Sequence, residues 1–139
     1  MTHHFSLSVI NLKTATRAIE LAIEIGERHG VKVASAVVDP ALELVAYARA
    51  DGITPHSVET SQRKATTAAS TRRPSALVPE HLATPLEHGT GGLLTSIPGG
   101  VPIVFNGVHI GGLGGAGGPP PGDATIALEV LEALGADPV

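Results

Sequence analysis

The sequence contains no cysteine, which excludes disulfides, thiolate zinc sites, iron–sulfur clusters and cysteine nucleophiles at once. Aromatic residues are nearly absent: Phe5, Tyr47 and Phe105 are the full set, with no tryptophan. Stacking platforms for single-stranded nucleic acid are therefore missing, and a core has to be built from Ala, Val, Ile and Leu. Met1 is the only methionine, so any haem iron would need a histidine. Positive charge is also scarce. Nine Lys plus Arg against thirteen Asp plus Glu leave a formal charge of −4, and Arg63, Lys64, Arg72 and Arg73 form the densest basic group. That balance argues against a nucleic-acid partner. No apolar run reaches the length of a membrane span, and the start MTHHFSLSVI lacks the basic and apolar regions of a signal segment. The expectation is a soluble, unexported, cytoplasmic protein without a membrane partner.

What the chain has in quantity is small residues, with 17 glycines among 139 positions. The length suits one domain, residues 1–139. Residues 11–28 carry Ala15, Ala18, Ile19, Ala22, Ile23 and Ile25 at helical spacing between charged positions, ended by His29-Gly30. Two β-branched runs, 31–38 and 42–48, flank the turn Asp39-Pro40-Ala41 and predict an antiparallel hairpin. A helix over 55–71 has only Val58, Ala65, Ala68 and Ala69 as its apolar stripe, which predicts packing by close approach. Residues 72–100 are broken by prolines and glycines, leaving an irregular cover with short helical turns at 75–83. Asn106-Gly107 between apolar runs signals a second hairpin, and residues 122–136 form a closing helix with Ile126, Ala127, Val130, Leu131 and Leu134 on one face. Strands in adjacent pairs predict an α+β fold with a central, mostly antiparallel sheet of about five strands flanked by helices.

Gly112-x-Gly114-x-x-Gly117 copies the dinucleotide-binding pattern letter for letter. That pattern needs a helix opening at the last glycine and a second parallel strand behind it. Pro119, Pro120 and Pro121 forbid the helix inside the glycine run, and too little chain follows for the strand. No Gly-Lys-Ser or Gly-Lys-Thr follows either, which excludes a phosphate loop. The run reads instead as a strand-end turn open to close approach, by a neighbouring helix or subunit or by a ligand.

The VVDPALELVAYARADG hairpin, the helix with Lys64-Ala65-x-Thr67-Ala68, the turn Pro98-Gly99-Gly100-x-Pro102, and Gly111–Gly118 followed by Asp123 come in a set order. Over roughly residues 7–135 they resemble the GlcG/HbpS family, which includes haem-binding proteins and the domain at the carboxyl end of PduO-type proteins. The resemblance implies an α/β sandwich around an antiparallel sheet, assembly into homo-oligomers, and haem binding or degradation in some members. Asp39, Asp51 and Asp123 fall on family-pattern positions. Where relatives commonly carry a Gly-Val-Ser-Gly-like turn, this chain has Gly114-Gly115-Ala116-Gly117 and lacks the hydroxyl.

Among residues able to carry chemistry, Lys64 sits among Ala and Thr, where a desolvated amine can bind a carboxylate or act as a base. Asp51, at a strand end, is the first candidate to pair with it or take a proton, and Glu59 the second; the ordinary alternative for Lys64 is an ion pair with Asp51, Glu59 or Asp123. Asp39 reads as a turn residue bonding backbone amides. His56 and Glu59, three apart on one helix face, make no metal site by themselves, and no metal is expected. His81 and His88 lie where a covering loop could present them to haem iron, whereas His3, His4 and His29 read as surface or helix-end residues and His109 as facing solvent or an interface. Arg49 and Arg63 could meet acidic ligand groups. Thr67, Gly100, Gly114, Gly115, Ala116 and Gly117 complete the expected ligand surface. Two functions follow: a module holding haem or another small organic ligand near Lys64 and the glycine run, or an isomerase, lyase or cyclase that moves protons on a small carbonyl or carboxylate compound with no redox cofactor. An accessory protein without a pocket is the third.

Overall fold

The computed structural model describes residues 1–139. Helix α1 (Leu12–Arg28) opens on Asn11, whose side-chain oxygen accepts from the Thr14 amide at 2.8 Å. Replacing Asn11 by alanine leaves that amide to water and should cost about 1 kcal/mol of stability, read as a lowered urea midpoint. At the other end Gly30 takes the left-handed conformation, φ 70°, that stops the helix.

Strands β1 (Ala34–Val38) and β2 (Leu44–Arg49) form the first hairpin. Its turn is held by Asp39, whose carboxylate accepts from the amides of Ala41 and Glu43. Helix α2 (Ser57–Thr71) follows, then a short turn at Ser75–Leu77 and helix α3 (Glu80–Gly89). Strands β3 (Gly100–Phe105) and β4 (Val108–Ala116) make the second hairpin, and α4 (Pro120–Leu134) closes the chain. Asn106 and Gly107 both have positive φ, and their amides donate to the Asp137 carboxylate.

The sheet is antiparallel throughout, in the order β2-β1-β4-β3. It has four strands where about five were expected: the two hairpins supply all of them. Helices α1 and α4 cover one face, where sixteen buried hydrophobic residues, including Ile19, Ile25, Val37, Leu113, Ile126 and Val130, form the core. The other face holds α2 on a thin layer of Ala36, Val38, Ala65 and Ala69.

Two expectations need correction. The segment 72–100 contains a ten-residue helix, α3, with Pro85 inside it. Pro85 gives up one internal bond, but none of α3 is buried, so the freed carbonyl of His81 has water to bond. The glycine run is not a strand-end turn. Gly111–Ala116 lie within β4 and are buried, and only Gly117, at φ 129°, turns the chain. Its purpose shows in what faces it. A Cβ on Gly112 would stand 2.7 Å from the Ala69 amide nitrogen, and one on Gly114 2.6 Å from that of Ala65. Ser61, Ala65 and Ala69, one helical turn apart, lie in this backbone groove. Of the two uses the sequence left open for the glycines, close packing by a helix of the same chain accounts for Gly112 and Gly114.

Candidate functional site

The first turns of α2 and α4 meet at the end of β4 around a cavity of ≈ 350 Å³, within the size range of small-ligand sites. His56, the residue before α2, and Thr60 and Lys64 within it follow one face at intervals of four, with Thr54 and Ser57 beside the rim. Ala116, Gly117 and Gly118 form the wall from β4, Ile97 the wall from the segment before β3, and Asp123 the contribution of α4. A larger groove, ≈ 470 Å³, lies between the ends of α1 and α4. It holds the exposed His29–Glu129 pair and no buried ionisable group, so its size alone carries no chemistry.

At the floor of the smaller cavity Lys64 and Asp123 form an ion pair at 3.1 Å, each side chain only 2% exposed. Lys64 Nζ also donates to the Gly115 carbonyl at 2.8 Å. The other Asp123 oxygen accepts from the Gly118 amide at 3.0 Å. An ammonium group has three donors, and the third on Lys64 has no protein partner. Burial lowers the Lys64 pKa below its ordinary value and raises that of Asp123, and in each case the attraction of the partner opposes the effect of burial without cancelling it. The two groups are thus drawn together in proton affinity, which is common where protons are held or moved.

Close packing makes this floor possible. A Cβ on Gly99 would stand 2.9 Å from Lys64 Nζ, and one on Gly100 would strike the Lys64 carbonyl. The glycines therefore let the lysine backbone and amine lie against the ends of β3 and β4.

The structure distributes the expected site residues unevenly. Lys64, His56, Ala116 and Gly117 line the cavity, and Gly115 supplies a carbonyl to the lysine. Asp51 is not the lysine's partner; it lies in an exposed turn outside the cavity. Glu59 is bound at 2.8 Å to Arg63 on the exposed side of α2. Arg49 is exposed on β2, away from Lys64. Thr67 is fully buried, its hydroxyl donating to the Arg63 carbonyl and accepting from the Thr95 amide, so it offers a ligand nothing. Gly100 and Gly114 are sealed under α2. His81 is exposed on α3, and His88 borders a separate groove with Arg63 and Glu87. Neither histidine reaches the cavity over Lys64. His109 is half-buried against α2, with a ring nitrogen 3.1 Å from the Ala69 carbonyl.

Asp123, which the sequence offered on a family-pattern position and as one possible ion-pair partner of Lys64 but not among the site residues, completes the candidate site. Its signal was an acid in the first turn of a helix that opens on prolines, where it can reach back to an amide of the preceding turn. The amides of Gly115 and Gly118 are bonded to the Gly99 carbonyl and to Asp123. Those two amides are therefore unavailable to an anionic ligand group. Pro120 and Pro121 remove two further donors from the start of α4.

Two helix layers around a four-stranded antiparallel sheet, with a buried lysine–aspartate pair under one cavity, define the class of domain. The chain belongs to the HbpS-like family: the family model for haem degrading protein HbpS-like matches residues 10–132. Protein GlcG of Escherichia coli strain K12 is 33% identical over 111 residues, covering 76% of this chain and 80% of GlcG. A double mutant of Streptomyces reticuli HbpS is similar in structure at a TM-score of 0.85 and 29% identity, over 96% of this chain and 92% of that one. A PduOC:heme complex also has a TM-score of 0.85, over 94% and 98% of the two chains, and at 22% identity the likeness is one of fold.

Proposed function

We propose that this protein binds a small polar organic ligand in the cavity over Lys64 and Asp123. The observation that carries this reading is the pair itself. Two opposite charges, each 2% exposed, form the floor of an open cavity, and a buried ion pair is rarely the most stable filling for such a place. Membership of a family described as haem degrading, and a structural neighbour that is a haem complex, support binding of an organic ligand. The lining does not suit haem. Only two of its eleven residues are hydrophobic, none is aromatic, and His56 is the single histidine, whereas a porphyrin needs broad apolar walls beside its axial ligand. Thr60 gives its hydroxyl proton to the His56 carbonyl, and Thr54 and Ser57 are bonded to each other, so one hydroxyl proton of that pair and the free donor of Lys64 are left for a carboxylate or carbonyl compound. Assembly of several copies is part of the proposal; Phe5, Leu7 and Leu12 are exposed on the isolated chain.

Native mass spectrometry of protein purified from its own host tests the reading. A retained small-molecule mass is expected in the wild type and its loss in Lys64→Met. Equal retention in a folded Lys64→Met variant, or a strong Soret band on haem addition that His56→Ala abolishes, overturns it. A second reading, proton transfer on the bound compound, is favoured by the opposed pKa shifts of Lys64 and Asp123.

A further inference from the structure

We propose that the cavity takes a small organic carboxylate together with one proton, which Asp123 holds in the bound state. This rests on the cavity being the ligand site. Lys64 Nζ already donates to Asp123 and to the Gly115 carbonyl, and its one unpartnered donor is the natural hydrogen bond for an incoming acid group. Before binding, the pair is electrically balanced. A carboxylate on the third donor would place two anions on one ammonium where each side chain of the pair is 2% exposed. Two carboxylates sharing such a site cannot both stay ionised.

One proton taken from solvent restores the balance. It binds Asp123 Oδ2, while Oδ1 keeps the Gly118 amide. Lys64 remains an ammonium and turns its charge to the ligand. The count is the same wherever the pair keeps its shared proton before binding, because free lysine and aspartate hold one between them and the complex holds two. The surroundings offer few other sources of charge. Facing the pair, α2 supplies Lys64, its N-cap position supplies His56, α4 supplies Asp123, and the residues from β4 and from the segment before β3 carry none. The direction of the Asp123 shift agrees.

The sign follows from proton uptake: carboxylate affinity should fall as pH rises, by about tenfold per unit around neutral pH. Calorimetric titration with pyruvate, in buffers of low and high ionisation enthalpy, should show uptake of about one proton per site. Its neutral analogue pyruvamide should show none. Uptake should persist in His56→Gln and disappear in Asp123→Asn, whose pyruvate affinity should no longer vary with pH. Pyruvate binding without uptake, uptake lost in His56→Gln, or binding of pyruvamide alone overturns the carboxylate-with-proton proposal and leaves the ligand site standing. Binding of neither probe overturns both. Should Asp123→Asn fail to fold, the wild-type buffer series and His56→Gln decide the question.

Discussion

Gly114→Ala is expected to destabilise the protein by roughly 3 kcal/mol or more, at the upper end of what overpacking usually costs. The added methyl would lie 2.6 Å from the Ala65 amide nitrogen and 3.1 Å from the Ala65 Cβ. Neither neighbour is the movable end of a flexible side chain. Ala65 is fully buried in the middle of α2, so relief requires the whole helix to lift from the sheet. Lifting α2 also draws Lys64 away from the Gly115 carbonyl and Asp123, which couples the fold to the cavity. Gly115→Ala is the matched control. Its Cβ would point to the opposite face and meet only Val33 Cγ1, at 4.0 Å, and its φ is not positive. There the change should stay within about 0.5 kcal/mol, or stabilise slightly by restricting the unfolded chain. Urea denaturation of the two variants reads the difference directly. Equal midpoints would show that α2 does not depend on bare backbone in β4.

The contrast between neighbouring glycines explains how far the sequence could be read. The alternation of strand residues and the Asn106-Gly107 turn located both hairpins, because hairpin chemistry is local. The amphipathic pattern of α1 was equally plain. The weak stripe of α2 correctly implied close packing, yet nothing local said what it packs on. That surface is Gly112 and Gly114, more than forty residues away, and a run of glycines has no periodic pattern to mark which ones face a helix. The same distance hid the site. Lys64 stood out as a long cation among small residues, but Asp51 is near in sequence and Asp123 only near in space. Helix α3 was missed because Pro85 reads as a breaker, although on an exposed helix the lost bond costs less than it would in a core. Periodicity and turn residues supplied the order of the pieces, the resemblance to GlcG/HbpS proteins rested on that order, and the structure supplied which charged groups meet.

Removal of one member of the Lys64–Asp123 pair should cost far more than removal of both. Asp123→Leu leaves a lysine amine, 2% exposed, with only the Gly115 carbonyl for a partner, and a loss of about 3–5 kcal/mol is expected from an orphaned buried charge. Lys64→Met should be milder, since Asp123 keeps the Gly118 amide and can meet burial by holding a proton, the direction in which its pKa already lies. The double variant Lys64→Met/Asp123→Leu fills the space with apolar atoms and leaves no charge unpaired. It should recover wild-type stability or exceed it by about 1–4 kcal/mol, while its ligand binding is lost. Chemical denaturation of the four proteins closes the cycle, and calorimetry with the retained ligand or with pyruvate supplies the binding readout. A double variant as unstable as the sum of the two singles would mean that the pair is there to hold the helices together. Restored stability without binding would place the pair among residues kept for their chemistry, at the expense of a better-packed core.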